Sequence, residues 1–395
     1  MASIKAQGRG RATVAHAQDA MIGAYNPAGM VHVGTRSDAG LYWLGSDPVT
    51  TVSDSTLTDA NDMFSGSRGN NFPSGEFGVN YMVCESCDFS LGLCVYTLDY
   101  WKASYSSPFP VFGTTPAKME FWQGVASPMF ALRFERFAIG MSFDFIGQRL
   151  SVNGLENFDN LTYSTEPGAV TNQNHEFASQ FTFTVGGMWD ITRCLTLGAS
   201  YQPRSFEGSR FRSYRGLVPD GGRMRTPRRL TAGLWYHPND CFSISADVDH
   251  RWWKDTRLFN NNFPELLSTI ENERFGSSGS PGFGWDNQFA AHVGADWTPW
   301  CGFTLRIGYR YLQQQINRDQ ILMNTLLANT VDQWATAGFT WECGCYEISG
   351  FYSYGVKREQ KGPPEGINTS FGGGNYSTRN EHHAAGIGIG WGWSP

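Results

Sequence analysis

The sequence predicts an all-β protein, a closed antiparallel transmembrane β-barrel of about fourteen strands. Three observations predict it. Apolar and polar residues alternate with a period of two along most of the 395-residue chain. Many of these segments need 10 to 15 residues, whereas soluble strands usually run to about 5–6 and a tilted bilayer-crossing strand needs about 9–11. Tight turns also alternate with long polar connections, the pattern of short periplasmic turns and long extracellular loops.

The alternation separates two faces, because successive side chains of a strand point to opposite sides. Phe303, Leu305, Ile307, Tyr309 and Tyr311 share one face, and Thr304, Arg306, Gly308 and Arg310 the other. Phe137, Ile139, Met141, Phe143 and Phe145 alternate with Ala138, Gly140, Ser142 and Asp144. The same holds for Phe177 to Val185, Phe242 to Val248, and Ile387 to Trp393. Taken in order, the predicted strands are 34–44, 74–83, 88–101, 118–132, 137–150, 174–190, 193–207, 224–238, 240–253, 285–299, 302–316, 328–342, 345–358 and 380–393. Tight turns fall at Cys84–Asp88, Arg133–Arg136, Asp190–Cys194, Pro238–Cys241, Thr298–Gly302 and Cys343–Cys345. Long polar connections lie near 45–73, 102–117, 151–173, 208–223, 254–284, 317–327 and 359–379. An even number of strands leaves both barrel ends on the same side. The barrel must close, since each unpaired edge group in lipid costs several kcal/mol.

Composition agrees. Hydrophobic residues make up 41% and charged residues only 17%, against about 25% charge in soluble domains. Aromatics reach 15% and glycines number 46, which suits aromatic girdles outside and small residues inside. The net charge of −6 gives no footprint for nucleic acid. The arginines at 204–229 read as a solvated loop. No run of 18 apolar residues is present, so no transmembrane helix is expected. Met1-Ala2-Ser3 leads into polar residues and is expected to be a start from which an export signal has been removed.

Residues 1–33 do not alternate and form a separate unit before the barrel at 34–395. Taken alone, they read equally as a tail with a turn at Asn26-Pro27. Gly8-Arg9-Gly10-Arg11-Ala12, Ala17-Gln18-Asp19-Ala20 and Asn26-Pro27-Ala28-Gly29-Met30 resemble the start of FadL-type transporters, bacterial outer-membrane carriers of long-chain fatty acids and other hydrophobic compounds. Thr226-Pro227-Arg228-Arg229-Leu230, Val293-Gly294-Ala295, Leu305-Arg306-Ile307-Gly308-Tyr309 and the closing His382-His383 to Gly392 segment extend the resemblance along nearly the full chain.

The resemblance implies that residues 1–33 form a hatch inside the lumen, with Asn26, Pro27 and Ala28 in the plug. Pro27 would fix its φ and Asn26 would hydrogen-bond the local backbone. It also implies lateral release through a kinked third strand. Here that strand, 88–101, carries no proline or bulge signal, and Gly92 is the residue that would permit a bend. The chain departs from the usual aromatic finish of such barrels, with Trp393 followed by Ser394-Pro395.

Alternation places Arg251, His292, Asp296, Arg306, Arg310, Asp247, Asp249 and Glu347 inward. A salt-bridge network bracing the barrel is one reading. The other is a cationic seat for a ligand carboxylate, with Arg306 and Arg310 as first candidates and Arg251 and His292 beside them. In the loops, Phe259, Phe263, Leu266 and Leu267, and Ile321, Leu322, Leu326 and Leu327, would form a surface landing site or helices packed on one another. Cys84, Cys87, Cys194, Cys241, Cys301, Cys343 and Cys345 fall at or beside predicted periplasmic turns, and Cys94 within a strand. Disulfides on that rim, or links to other envelope proteins, fit an oxidising compartment better than zinc.

No nucleophile elbow, Walker loop or paired metal-ligand spacing is present, so neither catalysis nor a cofactor or metal is expected. The expected role is uptake of a hydrophobic small molecule by a monomeric barrel among outer-membrane lipids. The rival roles are a general diffusion porin and a cysteine-crosslinked structural or adhesive envelope protein.

Overall fold

The computed structural model describes residues 2–66, 69–84, 88–264, 267–363 and 372–393, without the side chains of Cys84, Leu267, Ser268 and Asn272. Fourteen strands close into one antiparallel barrel: β1 (Arg36–Ser46), β2 (Asn71–Cys84), β3 (Phe89–Ser104), β4 (Lys118–Phe134), β5 (Phe137–Asn153), β6 (Glu176–Thr192), β7 (Leu195–Gln202), β8 (Arg229–Asn239), β9 (Phe242–Arg251), β10 (Gln288–Trp300), β11 (Phe303–Leu312), β12 (Gln333–Cys343), β13 (Tyr346–Lys361) and β14 (Asn375–Gly392). Each pairs with its sequence neighbours. Closure is made by β1 against β14, in register from Arg36↔Gly392 to Ser46↔His382. Two short strands not anticipated from the sequence, Val49–Ser53 and Met63–Ser65, extend the far end of β14.

The barrel is inside-out relative to a soluble protein. Along β5, Phe137, Ile139, Phe143 and Phe145 are exposed while Ala138, Gly140, Ser142 and Asp144 are buried. Leu305, Ile307, Tyr309 and Tyr311 face outward, and Arg306 and Arg310 are buried in the lumen. Trp189, Trp297, Trp300, Trp341 and Trp391 ring the outside at the short-turn end. An exposed apolar belt of this kind on a closed sheet is stable only in lipid. The turns are tight because Glu135, Gly302 and Gly344 adopt left-handed φ values of 49°, 78° and 64°.

β7 ends at Gln202, five residues earlier than the alternation predicts. Pro203 follows, and a proline has no N–H for a ladder. Thr226 N–H instead meets Gln180 Oε1 and Ser205 Oγ at 3.1 and 2.9 Å.

The long connections fold over one end and share a hydrophobic core that includes Phe109, Phe158, Phe211, Tyr214, Phe275 and Trp285. Phe259, Phe263, Ile321, Leu322, Leu326 and Leu327 are all buried in it. The surface landing site is therefore excluded for these residues, and the packed alternative is what forms. Leu266 and the Leu267 side chain lie outside the described residues.

Ala2 to Gly10 are buried throughout, and Ile4, Lys5, Arg9 and Gly10 bond to side chains on the inward faces of the strands. The expected disulfide rim does not form among the described residues. Cys194, Cys241, Cys301, Cys343 and Cys345 are free thiols, as is Cys94. The first five sit in four separate tight turns, and alternate hairpin turns are about 10 Å apart, beyond the 4.4–6.8 Å that a disulfide spans. Cys87 and the Cys84 side chain lie outside the described residues.

Candidate functional site

The N-terminal segment is tied to the wall by polar contacts spaced along its length. Ile4 N–H donates to Glu76 Oε1 at 2.8 Å, and Lys5 pairs with Glu347. Arg9 Nη1 reaches Asp296 Oδ2 at 2.9 Å. Thr13 and Val14 N–H both donate to Asp247 Oδ2, at 2.6 and 2.8 Å. Ala20 N–H donates to Asp38 Oδ2 at 2.8 Å. Asn80 Nδ2 donates to Met30 O at 2.8 Å.

The Asn-Pro-Ala motif sits where these contacts turn. Asn26 caps a short 3-10 helix, Pro27–His32, accepting from Ala28 N–H at 3.1 Å, and Pro27 takes its first position. Asn26 Nδ2 donates to Val14 O at 2.8 Å and to Gly187 O of β6 at 3.1 Å. The Pro27–Ala28 backbone lies flush on β5, where a Cβ at Gly140 would stand 2.5 Å from Ala28 N. On the other side, Gly294 and Gly308 face each other in register and leave room for Arg9. A Cβ at Gly308 would stand 2.3 Å from the Arg9 carbonyl carbon.

Between this segment and the loop core is a cavity of about 180 Å³. Ala2, Gln7, Gly10, Arg11, Ala24 and Tyr25 line it from the segment, Trp101 and Trp253 from the loop end, and Tyr96, Leu98, Leu312 and Trp334 from the wall. Arg251, His292 and Arg310 line it as well, so three of the four predicted ligand-binding residues are brought together. Arg306 is absent from the lining. It donates to Thr340 Oγ1 at 2.6 Å and lies 3.6 Å from Asp296, the carboxylate that Arg9 uses.

Charge within the cavity is uneven. Arg251 Nη1 meets both oxygens of Asp99, at 2.9 and 3.1 Å. Arg229 is held by Asp249 Oδ2 at 2.6 Å. His292 Nδ1 is 2.9 Å from Gly10 O. Arg310 has no carboxylate partner among the described residues; its guanidinium lies 3.7 Å from the centre of the Trp334 ring, and its Nε has no hydrogen-bond partner. Arg11 donates from Nε to Gln7 Oε1 at 3.1 Å and makes no ion pair among the described residues. Its backbone is left-handed, with φ at 68°, a conformation that costs a non-glycine residue about 1–3 kcal/mol. Burial disfavours the charge of Arg11 and pulls its pKa down.

Arg11 and Arg229 were not singled out as site residues by sequence reasoning. Arg229 was hidden in what read as a loop cluster. Arg11 enters the site only through the fold of the segment, although the Gly8-Arg9-Gly10-Arg11 run was visible.

The wall beside the cavity departs from a regular ladder twice. In β3 the register against β4 shifts between Thr97 and Asp99, so Leu98 is an extra residue. The expectation of no bulge in the third strand is thereby corrected. Gly92 marks no bend there; it makes room for Met30, whose Cε would lie 2.3 Å from a Cβ at that position. The β4–β5 ladder is interrupted between Ala126↔Phe145 and Met129↔Ser142, where Pro128 has no N–H to donate. Ser127 Oγ bridges the interruption to Asp144 Oδ1 at 2.7 Å. Among the described residues no cluster of His, Cys, Asp and Glu could hold a metal ion.

Solved structures share this architecture. A Pseudomonas aeruginosa FadL homologue superposes with a TM-score of 0.73 at 13% identity, over 100% of this chain and 99% of that one. The chain has the fold of FadL-type outer-membrane transporters. The Pseudomonas putida toluene transporter TodX matches the same fold with a TM-score of 0.68 at 14% identity, over 98% and 97% of the two chains. The Ralstonia pickettii toluene transporter TbuX does so with a TM-score of 0.68 at 13% identity, over 98% and 97%. No family model matches the chain, and no curated protein matches it by sequence.

Proposed function

We propose that the protein is a bacterial outer-membrane channel, not an enzyme, that takes up hydrophobic small molecules carrying a carboxylate, long-chain fatty acids among them. Residues 1–33, with Asn26, Pro27 and Ala28 at their anchor, act as the hatch that gates it. The observation that carries this reading is the cavity directly above the N-terminal segment, with two arginines among aromatic and aliphatic walls that no carboxylate of the described residues pairs with.

A buried cation without a counter-ion is costly unless a partner arrives. A ligand carboxylate between Arg310 and Arg11 supplies that partner, while Leu98, Trp101, Trp253 and Leu312 take the hydrocarbon. Arg251 and His292 stand beside it as orienting groups, already engaged by Asp99 and Gly10. Arg306 belongs instead to the bracing network, alongside Arg9 and Asp296. Exit past Leu98, at the bulge of β3, is the route adjacent to the cavity.

The test is mass spectrometry of lipophiles that copurify with the protein, combined with uptake of fatty acid in a transporter-deficient host. Arg310→Gln is expected to lower carboxylate-ligand affinity about tenfold or more, the weight of one charge-assisted contact, and to leave neutral aromatic ligands unaffected. Equal loss for both ligand classes, or no loss for either, rejects the carboxylate seat. A general porin is disfavoured by the filled lumen. A purely structural envelope role leaves unexplained why Arg11 and Arg310 line a cavity without a carboxylate partner among the described residues.

A further inference from the structure

On the outside of the barrel, where β3, β4 and β5 emerge toward the long connections, four basic side chains surround one carboxylate. Glu120 Oε1 takes Arg149 Nη2 at 2.5 Å, and Glu120 Oε2 lies 3.7 Å from Lys102, 3.5 Å from Lys118 and 3.7 Å from His175. No other acidic side chain pairs with any of the four among the described residues. With His175 neutral, the cluster keeps an excess of two positive charges. Arg149, Lys118 and His175 are 31%, 29% and 41% exposed, while Glu120 is 8% exposed. The carboxylate thus sits beneath the cations and holds them together, leaving the outer sides of Arg149, Lys118 and His175 open, while Lys102, 14% exposed, backs them from the β3 side.

The height of the cluster matters as much as its charge. Arg149 is on the same outward face of β5 as Phe137, Ile139, Phe143 and Phe145. Phe137 to Phe145 covers about 27 Å of strand, or about 21 Å along the bilayer normal at a tilt of about 40°. Arg149 lies four residues further, about 10 Å above Phe145 on the same scale. Trp122 of β4 is paired with Arg149 in register, and Phe177 of β6 is 65% exposed next to it. An aromatic girdle with cations directly above it marks the level of lipid headgroups.

We infer that Lys102, Lys118, Arg149 and His175 form a binding site for the phosphate groups of a lipid in the outer leaflet. Arg149 presents a planar fork that suits a phosphate bidentately, and the two lysines add point charges on flexible stems. The lipid's acyl chains then lie along the belt below, against Phe145 and Phe177. A free phosphate would have no such belt to use, and the open outer sides face the bilayer surface rather than the lumen. The assignment rests on the long connections facing outward, and is independent of what the lumen carries.

The test uses the full-length protein in a neutral detergent, native mass spectrometry, and three probes: bisphosphorylated lipid A, its dephosphorylated form, and inorganic phosphate. Each basic residue near a charged lipid surface contributes about a fivefold gain in affinity. The combined Lys102→Gln, Lys118→Gln and Arg149→Gln protein is therefore expected to lose the phosphorylated lipid about a hundredfold. Glu120→Gln is expected to hold it at least as tightly as the wild type. Should the triple variant fail to fold by far-UV circular dichroism, Arg149→Gln alone carries the test, with about a fivefold loss. Equal retention of dephosphorylated lipid, or undiminished binding by the folded variants, overturns the site. Full displacement of the lipid by millimolar inorganic phosphate also overturns it as a lipid site.

Discussion

The loop core covers one end of the barrel and the N-terminal segment packs against the inner faces of its strands, and the two are held by opposite means. The loop core is apolar: Trp285, Phe259, Phe158 and Tyr214 belong to one buried cluster with aliphatic residues from most of the long connections. The segment carries a smaller apolar cluster around Met21, Ile22 and Met30. A second small cluster holds Ile4 against Tyr42 and Phe351, and hydrogen bonds and ion pairs to five carboxylates, Asp38, Glu76, Asp247, Asp296 and Glu347, are spaced along it.

Water can replace a hydrogen bond, whose net worth is about 0.5–1.5 kcal/mol. It cannot replace the contacts of a large buried aromatic, which are worth about 3–5 kcal/mol when truncated. The difference orders the two regions by how readily each yields: the proposed hatch movement falls to the segment, whose polar contacts water can replace, and not to the loop core.

The largest effect is expected in the loop core. Trp285 is fully buried, stacks on Phe259 at 4.5 Å, and donates from Nε1 to Asn324 Oδ1 at 2.6 Å. Trp285→Ala is expected to destabilise the long connections by about 3–5 kcal/mol. Limited proteolysis should then cut 251–288 and 312–333 while the strands stay protected. Cleavage of the N-terminal segment first would invert the comparison.

A smaller and more selective effect is expected at Asp247, which accepts two backbone N–H groups of the segment. Asp247→Ala leaves both unpaired, at about 1–3 kcal/mol for each unsatisfied group. Hydrogen exchange should rise in residues 10–20 and remain unchanged in the loop core. Uniform exchange across both regions would remove the distinction.

The smallest effect is a pH dependence. His16 stacks on Trp235 at 4.3 Å inside the lumen. Burial, then the nearby Arg9, push its pKa well below the ordinary histidine range. A depressed histidine pKa favours the docked segment while the imidazole is neutral. That contribution is present above about pH 6.5 and is lost as the pH falls toward the lower folded value. The protection of residues 13–18, taken relative to the intrinsic exchange rate at each pH, should therefore fall between pH 7 and pH 5, and His16→Gln should abolish that change. A segment that tightens on acidification would contradict the sign.

Strand placement and facing were legible because a barrel strand writes its environment at every second residue. Arg306, Arg310, Asp247 and His292 all point inward as the alternation requires. The loop core was legible only in part: the apolar residues near Phe259 and Ile321 stood out from polar connections, but Phe109, Phe211 and Leu217 come from connections without periodicity and meet only in three dimensions. The site was half legible. Periodicity put Arg251, His292 and Arg310 on the lumen side, but only the fold of the segment decides that Arg310 is left without a carboxylate while Arg306 is not. Arg11 follows the same logic, because a left-handed residue in a segment without regular pattern gives no facing to read.

The bore's closure by residues 2–33 is tested most directly by single-channel conductance in planar bilayers, comparing the full-length protein with one lacking that segment. The account predicts that the intact barrel passes almost no ions and that removal of the segment opens large, stable currents. Large currents from the intact barrel, unchanged by the deletion, would contradict it.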